Sequence, residues 1–156
     1  MEAINLGDWM FTITSEEYAA CSTAHQSAAQ GVMPNGKRLS INVEVIGEDQ
    51  TVQHYVEQVA ERDHVRAVSP NSWLWLSDSL YLKLGVEWDL TVEKSDDNSC
   101  ELRCTVTPTT WNPMKVLGGR VWMLWRGQPV QPHIDEETPL FARDIERKAL
   151  AGVWSQ

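Results

Sequence analysis

Polar and apolar residues alternate through the middle of the chain, beginning at Leu39. Leu39, Ile41, Val43 and Val45 share one face and Ser40, Asn42 and Glu44 the other, the period of a strand with one face on a core. Val52, His54 and Val56 repeat the pattern against Gln53, Tyr55 and Glu57; Glu61-Arg62-Asp63 reads as a turn, and residues 64–69 as another strand. Trp73-Leu74-Trp75-Leu76 leads into the longest alternation, in which Leu80, Leu82, Leu84, Val86, Trp88, Leu90 and Val92 oppose Tyr81, Lys83, Glu87, Asp89, Thr91 and Glu93. Ser95-Asp96-Asp97-Asn98 turns the chain, and Leu102, Cys104 and Val106 resume the pattern. One-sided alternation of this length predicts an antiparallel meander rather than a βαβ repeat.

Helical signals flank the meander. Thr14-Ser15-Glu16-Glu17 offers a capping box, an Ala-rich stretch follows and Gly31 is available as a stop, which predicts a helix over 14–30. Pro34-Asn35-Gly36 then marks a turn. Near the other end, Thr138-Pro139 supplies a cap and a first-turn proline, Phe141, Ala142, Ile145 and Ala149 fall on one face, and Arg147 and Lys148 sit near the negative end. These predict a closing helix from 138 to a stop at Gly152. Trp111, Gly118-Gly119, Trp122 and Trp125 lie between; the segment reads as a short interrupted helix or an apolar lid, since each glycine costs a helix about 1 kcal/mol relative to alanine. With no repeat, low-complexity tract or linker, one α+β domain over 1–156 is expected.

Composition narrows the partners. Thirteen basic and twenty-two acidic residues give a net charge of -9, and with no basic patch to overcome that field, nucleic acid is not an expected partner. No apolar run approaches the ~20 residues of a membrane span, and the first residues lack a secretory pattern, so a cytoplasmic protein is expected. Cys21, Cys100 and Cys104 lack zinc-type spacing and read as reduced thiols.

The order of helix, antiparallel meander and closing helix resembles the START-like superfamily, often labelled SRPBCC or polyketide cyclase/dehydrase-like. Pro34-Asn35-Gly36-Lys37, Gln53-His54-Tyr55-Val56-Glu57, Glu61-Arg62-Asp63-His64-Val65-Arg66, Trp88-Asp89-Leu90 and Glu137-Thr138-Pro139-Leu140-Phe141-Ala142 are similar to stretches in bacterial SRPBCC proteins, across residues 11 to 152. The resemblance implies a helix-grip fold, a curved antiparallel sheet wrapped around a long C-terminal helix. It also implies a largely apolar cavity that carries a hydrophobic small molecule or cyclises and dehydrates one. The chain departs from the resemblance in its tryptophans.

Among candidates for chemistry, His54 is the best placed for an acid/base role, since Val52 and Val56 would turn its ring toward the cavity and histidine titrates near neutrality; the alternative is a buried histidine satisfied by a neighbouring hydroxyl or carbonyl. His64 reads as a solvated edge and His25 as an exposed helix position. His133, beside Asp135, is placed at the cavity mouth or in a loop. Eight tryptophans are the compositional oddity, as each buries roughly 200 Å²; Trp73, Trp75, Trp88, Trp122 and Trp125 are the expected ligand-lining set. No histidine pair shows ligand spacing, so neither a metal nor another cofactor is called for. Gly31 to Arg38 comes close to a phosphate-loop pattern but stands before a strand, where no helix end faces a phosphate. The expected function is binding of an apolar, aromatic or polycyclic small molecule, with cyclisation, dehydration or isomerisation if the site is catalytic. The rival is a partner-binding module, or a homodimer, that uses the Trp-rich 111–125 segment.

Overall fold

A computed structural model describes residues 3–96, 99–109, 112–125 and 130–154. Among these residues the chain order is α1 (Leu6–Thr12), α2 (Ser15–Ala19), six strands, α3 (Pro113–Trp125) and α4 (Val130–Leu150). The strands are β1 (His25–Val32), β2 (Arg38–Ile46), β3 (Asp49–Ala60), β4 (His64–Ser77), β5 (Leu80–Lys94) and β6 (Cys100–Pro108). They form one sheet in sequential order, every neighbouring pair antiparallel, the α+β meander that the alternation predicts. No helix among the described residues is long and apolar enough to cross a membrane.

Two expectations need correction. The helix expected over 14–30 stops at Ala19, although its capping box forms as read, with the Thr14 hydroxyl accepting from the Glu17 N–H and the Glu17 carboxylate from the Thr14 N–H. The Ala-rich stretch beyond it is the edge strand β1, whose pairing with β2 overrides helix propensity. The turn at Pro34-Asn35-Gly36 therefore closes a hairpin, with Gly36 at φ 83, where a side chain would be strained. Finally, α4 begins at Val130, well before Thr138, and takes Pro139 into its interior.

The face of the sheet that turns inward changes character from edge to edge. On β2 and β3 it is polar: Ser40, Asn42, Glu44, Asp49, Thr51 and Gln53 are buried. On β4 and β5 it becomes apolar, through Val65, Ala67, Trp88, Leu90 and Val92, with Leu102, Cys104 and Val106 of β6 partly buried against them. On β2 the alternation is thus inverted relative to the simple reading, since Leu39, Ile41, Val43 and Val45 are only half-buried while the polar positions between them are covered. The Trp9 ring of α1 and Phe141 of α4 meet at 5.0 Å, and Phe141 lies 5.5 Å from Trp88. A core of aromatic rings therefore holds both helices on the apolar half. Trp9 also donates its indole N–H to Asp144 at 2.9 Å.

Candidate functional site

The polar half of the inner face ends in a buried cluster built by four elements. β1 pairs with β2 so that His25 stands opposite Glu44, and an irregularity between His25 and Ser27 keeps the His25 ring on the inner side. α4 contributes His133 and Glu137, four residues apart on the stripe that continues through Phe141 and Ile145, as helical spacing requires. α2 contributes Tyr18, whose ring stacks on that of His25 at 3.9 Å and 3°. His25 and Glu137 are each 4% exposed and His133 9%.

The hydrogen bonds fix the proton positions. Nδ1 of His25 lies 2.8 Å from the Tyr18 carbonyl; because a carbonyl only accepts, Nδ1 carries the proton and Nε2 faces Glu137 Oε2 at 3.0 Å. That contact needs a further proton or a cation between the two atoms. His133 Nε2 approaches the same Oε2 at 3.3 Å and Glu44 Oε2 at 3.7 Å. Glu44 also accepts from the Tyr18 hydroxyl and from Gln53 Nε2 at 3.3 Å. Thr51 Oγ1, Gln53 Oε1 and His133 Nδ1 are buried with no partner among the described residues, a state that folded proteins seldom tolerate without a use.

The electrostatics follow from burial. Desolvation raises the Glu137 pKa, and Glu44 adds to the rise, against the opposing bond from His25 and the charge of His133. For His25, desolvation favours the neutral ring, but the Glu137 hydrogen bond and the Glu44 charge outweigh it and raise its pKa. Burial, with Glu44 and Glu137 close by, pushes the Tyr18 phenol well above its ordinary range. Every group in the pair is therefore biased toward holding its proton.

Of the residues singled out from sequence, His133 joins this cluster. Trp88 is a core residue, and Trp122 is buried on the inner face with its indole N–H on Asp49. Trp125, three residues further along α3, is 67% exposed, and Trp111 lies outside the described residues. His54 does not face inward as read: it alternates with the buried Gln53 and Tyr55 and lies on the outer face of the sheet, its backbone N–H bonded to Ser69 Oγ at 2.9 Å. Trp73 and Trp75 share that outer face, stacked on each other at 5.9 Å with Tyr81 tilted against them at 4.7 and 5.0 Å and the Lys83 ammonium 3.9 Å over the Trp73 ring.

Sequence reasoning missed His25, Glu44 and Glu137. The i, i+4 pair His133 and Glu137 was available as a signal, but the proline-based start of α4 left His133 outside the helix. For His25, buried rather than exposed, an edge strand of small residues gives no warning. Compared with known proteins, the chain matches no family model, no curated protein and no solved structure.

Proposed function

We propose that the chain binds a small molecule with an apolar body and a polar end on the inner face of its sheet, and that the cluster around His25 and Glu137 grips the polar end. The observation that carries this reading is the burial of two imidazoles and two carboxylates together. Buried charge is costly, and stability alone would be served as well by apolar residues of similar volume; titratable groups with shifted pKa values gathered in one place are the usual mark of a site. The change of the inner face from polar on β2 and β3 to apolar on β5 fits a ligand of mixed character. Thr51 Oγ1 and Gln53 Oε1 offer it hydrogen bonds. If the site is catalytic, the pair of His25 and Glu137 moves the proton, in the cyclisation, dehydration or isomerisation that the SRPBCC resemblance implies. The helix-grip assignment belongs to the same proposal and is supported by α4, which buries Phe141 and Ile145.

Native mass spectrometry of freshly purified protein tests this. A retained small molecule, lost in Glu44→Gln and in His133→Leu, is the expected result. Empty wild-type protein that also shows no thermal shift with a panel of aromatic carboxylic acids and ketones would overturn it.

A second reading rests on α3. Its outward side carries Met114, Leu117, Val121, Leu124 and Trp125 in one exposed apolar stripe, the kind of surface that marks association. Light scattering of wild type and of a Leu124→Ser, Trp125→Ser double variant decides it: self-association lost in the variant supports a self-associating module, and a wild-type monomer at all concentrations removes it.

A further inference from the structure

The same cluster is arranged as a transition-metal site. We propose that His25 Nε2, His133 Nε2 and Glu137 Oε2 together bind a divalent first-row transition-metal ion of the zinc or iron(II) class. The proposal rests on the proposed function for the place of the site and not for its chemistry.

The geometry carries the case. The three ligand atoms lie within 4.8 Å of one another, and the contacts measured from Glu137 Oε2 are 3.0 Å to His25 and 3.3 Å to His133. Bonds of 2.0–2.1 Å at tetrahedral angles place ligand atoms about 3.3 Å apart, so the two separations from Glu137 Oε2 suit a cation to within a few tenths of an ångström, and the imidazole nitrogens, no more than 4.8 Å apart, need close by at most about 1.5 Å. The three sit on two independent elements, an edge strand and a helix, and each turns its ligating atom toward the same point. Two Nε2 atoms converging on one carboxylate oxygen repel unless something positive lies between them. A divalent ion meets that need for both imidazoles at once, and it balances the buried carboxylates of Glu44 and Glu137.

Behind His25 stands the kind of group that a metal site uses. His25 donates Nδ1–H to the Tyr18 carbonyl at 2.8 Å, which fixes the tautomer that leaves Nε2 free to coordinate. Glu44 Oε2, 3.7 Å from His133 Nε2, accepts from Gln53 Nε2, while its Oε1 accepts from the Tyr18 hydroxyl. It flanks the position left open by three protein ligands, the arrangement of catalytic rather than structural sites. Imidazole nitrogen selects against magnesium and calcium, which prefer oxygen.

The test uses tag-free full-length protein, stripped with EDTA and titrated with Co²⁺ and Zn²⁺. One equivalent of Co²⁺ is expected to bind with visible d–d absorption, to be displaced by Zn²⁺ and to survive excess Mg²⁺. His133→Leu and Glu137→Gln should each weaken binding by more than about a hundredfold, the upper end of what losing a partner behind a ligand costs. His64→Gln, which removes an imidazole paired with Asp89 on the outer face, should leave binding unchanged. Folded wild-type protein that takes up no Co²⁺, or uptake that persists undiminished in the ligand variants, overturns the proposal. Running the small-molecule assay in EDTA keeps the two readings separable: a retained molecule without metal binding sinks this inference alone, and a metal without a molecule sinks only the former.

Discussion

Trp122 donates its indole N–H to Asp49 Oδ2 at 2.6 Å, across 73 residues of sequence. Asp49 is fully buried at the start of β3, so this bond anchors α3 over the inner face while Met114, Leu117, Val121 and Leu124 stay exposed. A hydrogen bond to a charged group contributes about 1.5–3 kcal/mol. Trp122→Phe should therefore lower stability by about that amount and speed amide exchange in α3 more than in β3 to β5. Uniform loss of protection across sheet and helix would show that Trp122 is merely part of the global core.

Glu17 ties α2 to α4, accepting from Lys148 at 2.7 Å and Arg147 at 3.0 Å. Burial alone would raise its pKa, but the bonds from Lys148, the Thr14 N–H and Arg147, with the charge of Lys148, hold it at about 2. A depressed folded value means that the contribution is complete above the ordinary carboxylate value of 4.5 and is lost as pH falls toward about 2. Lys148 is 8% exposed and keeps only the longer contact to Asp144, at 3.6 Å, when Glu17 is neutralised. Glu17→Gln should cost about 2–3 kcal/mol near neutrality, somewhat under the cost of a wholly orphaned buried charge. Denaturant midpoints measured down the acid limb should fall for wild type and stay flatter for the variant; parallel curves would refute the assignment.

How far the sequence spoke differs between elements. The strand periods from Leu39 to Val106 were legible because a period of two survives whichever face is inward. Which face that is was not: on β2 Ser40, Asn42 and Glu44 are buried, because they line the polar half of the inner face. The same inversion misdirected the choice of His54, whose flanking valines are on the outer face. Single-sequence hydrophobicity assumes that covered positions are apolar, and that assumption fails where buried polar groups serve function.

The site itself was less legible than the fold. Its members come from residues 18, 25, 44, 133 and 137, and only tertiary structure joins them. The clue within reach was the His133 and Glu137 pair. Reading Pro139 as a helix start, where its missing N–H costs nothing, cut the helix between them and the rest of the stripe.

The thiols should divide by burial. Desolvation pushes Cys21 up to about 12, with Asp144 and Glu137 adding to it, and Cys104 likewise to about 12 through burial and Glu137. Cys100 is exposed. Since the thiolate is the reacting form, a disulfide reagent on native protein should modify one thiol rapidly, mapping to Cys100 by mass spectrometry, and reach the other two on unfolding. Fast modification of Cys21 would mean that α2 leaves the body of the fold often.

Glycine-to-alanine substitution separates close packing from mere helix weakness, with opposite signs at different positions. α1 docks on the β3–β4 turn through Leu6 N–H to the Arg62 carbonyl at 2.8 Å and Gly7 N–H to the Glu61 carbonyl at 3.0 Å. A Cβ on Gly7 would sit 2.8 Å from the Ala60 carbonyl carbon and 2.9 Å from its oxygen, and backbone cannot swing aside as a side chain can. Gly7→Ala should cost about 1–3 kcal/mol through overpacking. On α3, by contrast, a Cβ on Gly118 or Gly119 meets only the methyls of Leu82 and Leu84, at 3.7 and 3.6 Å, which is ordinary contact. There the gain in helix propensity is unopposed, so each alanine should add roughly 0.5–1 kcal/mol. Thermal melts of the three single variants check the signs. A destabilised Gly118→Ala would mean that α3 sits closer to β5 than these contacts allow, and a neutral Gly7→Ala that α1 is not held by its bonds to the turn.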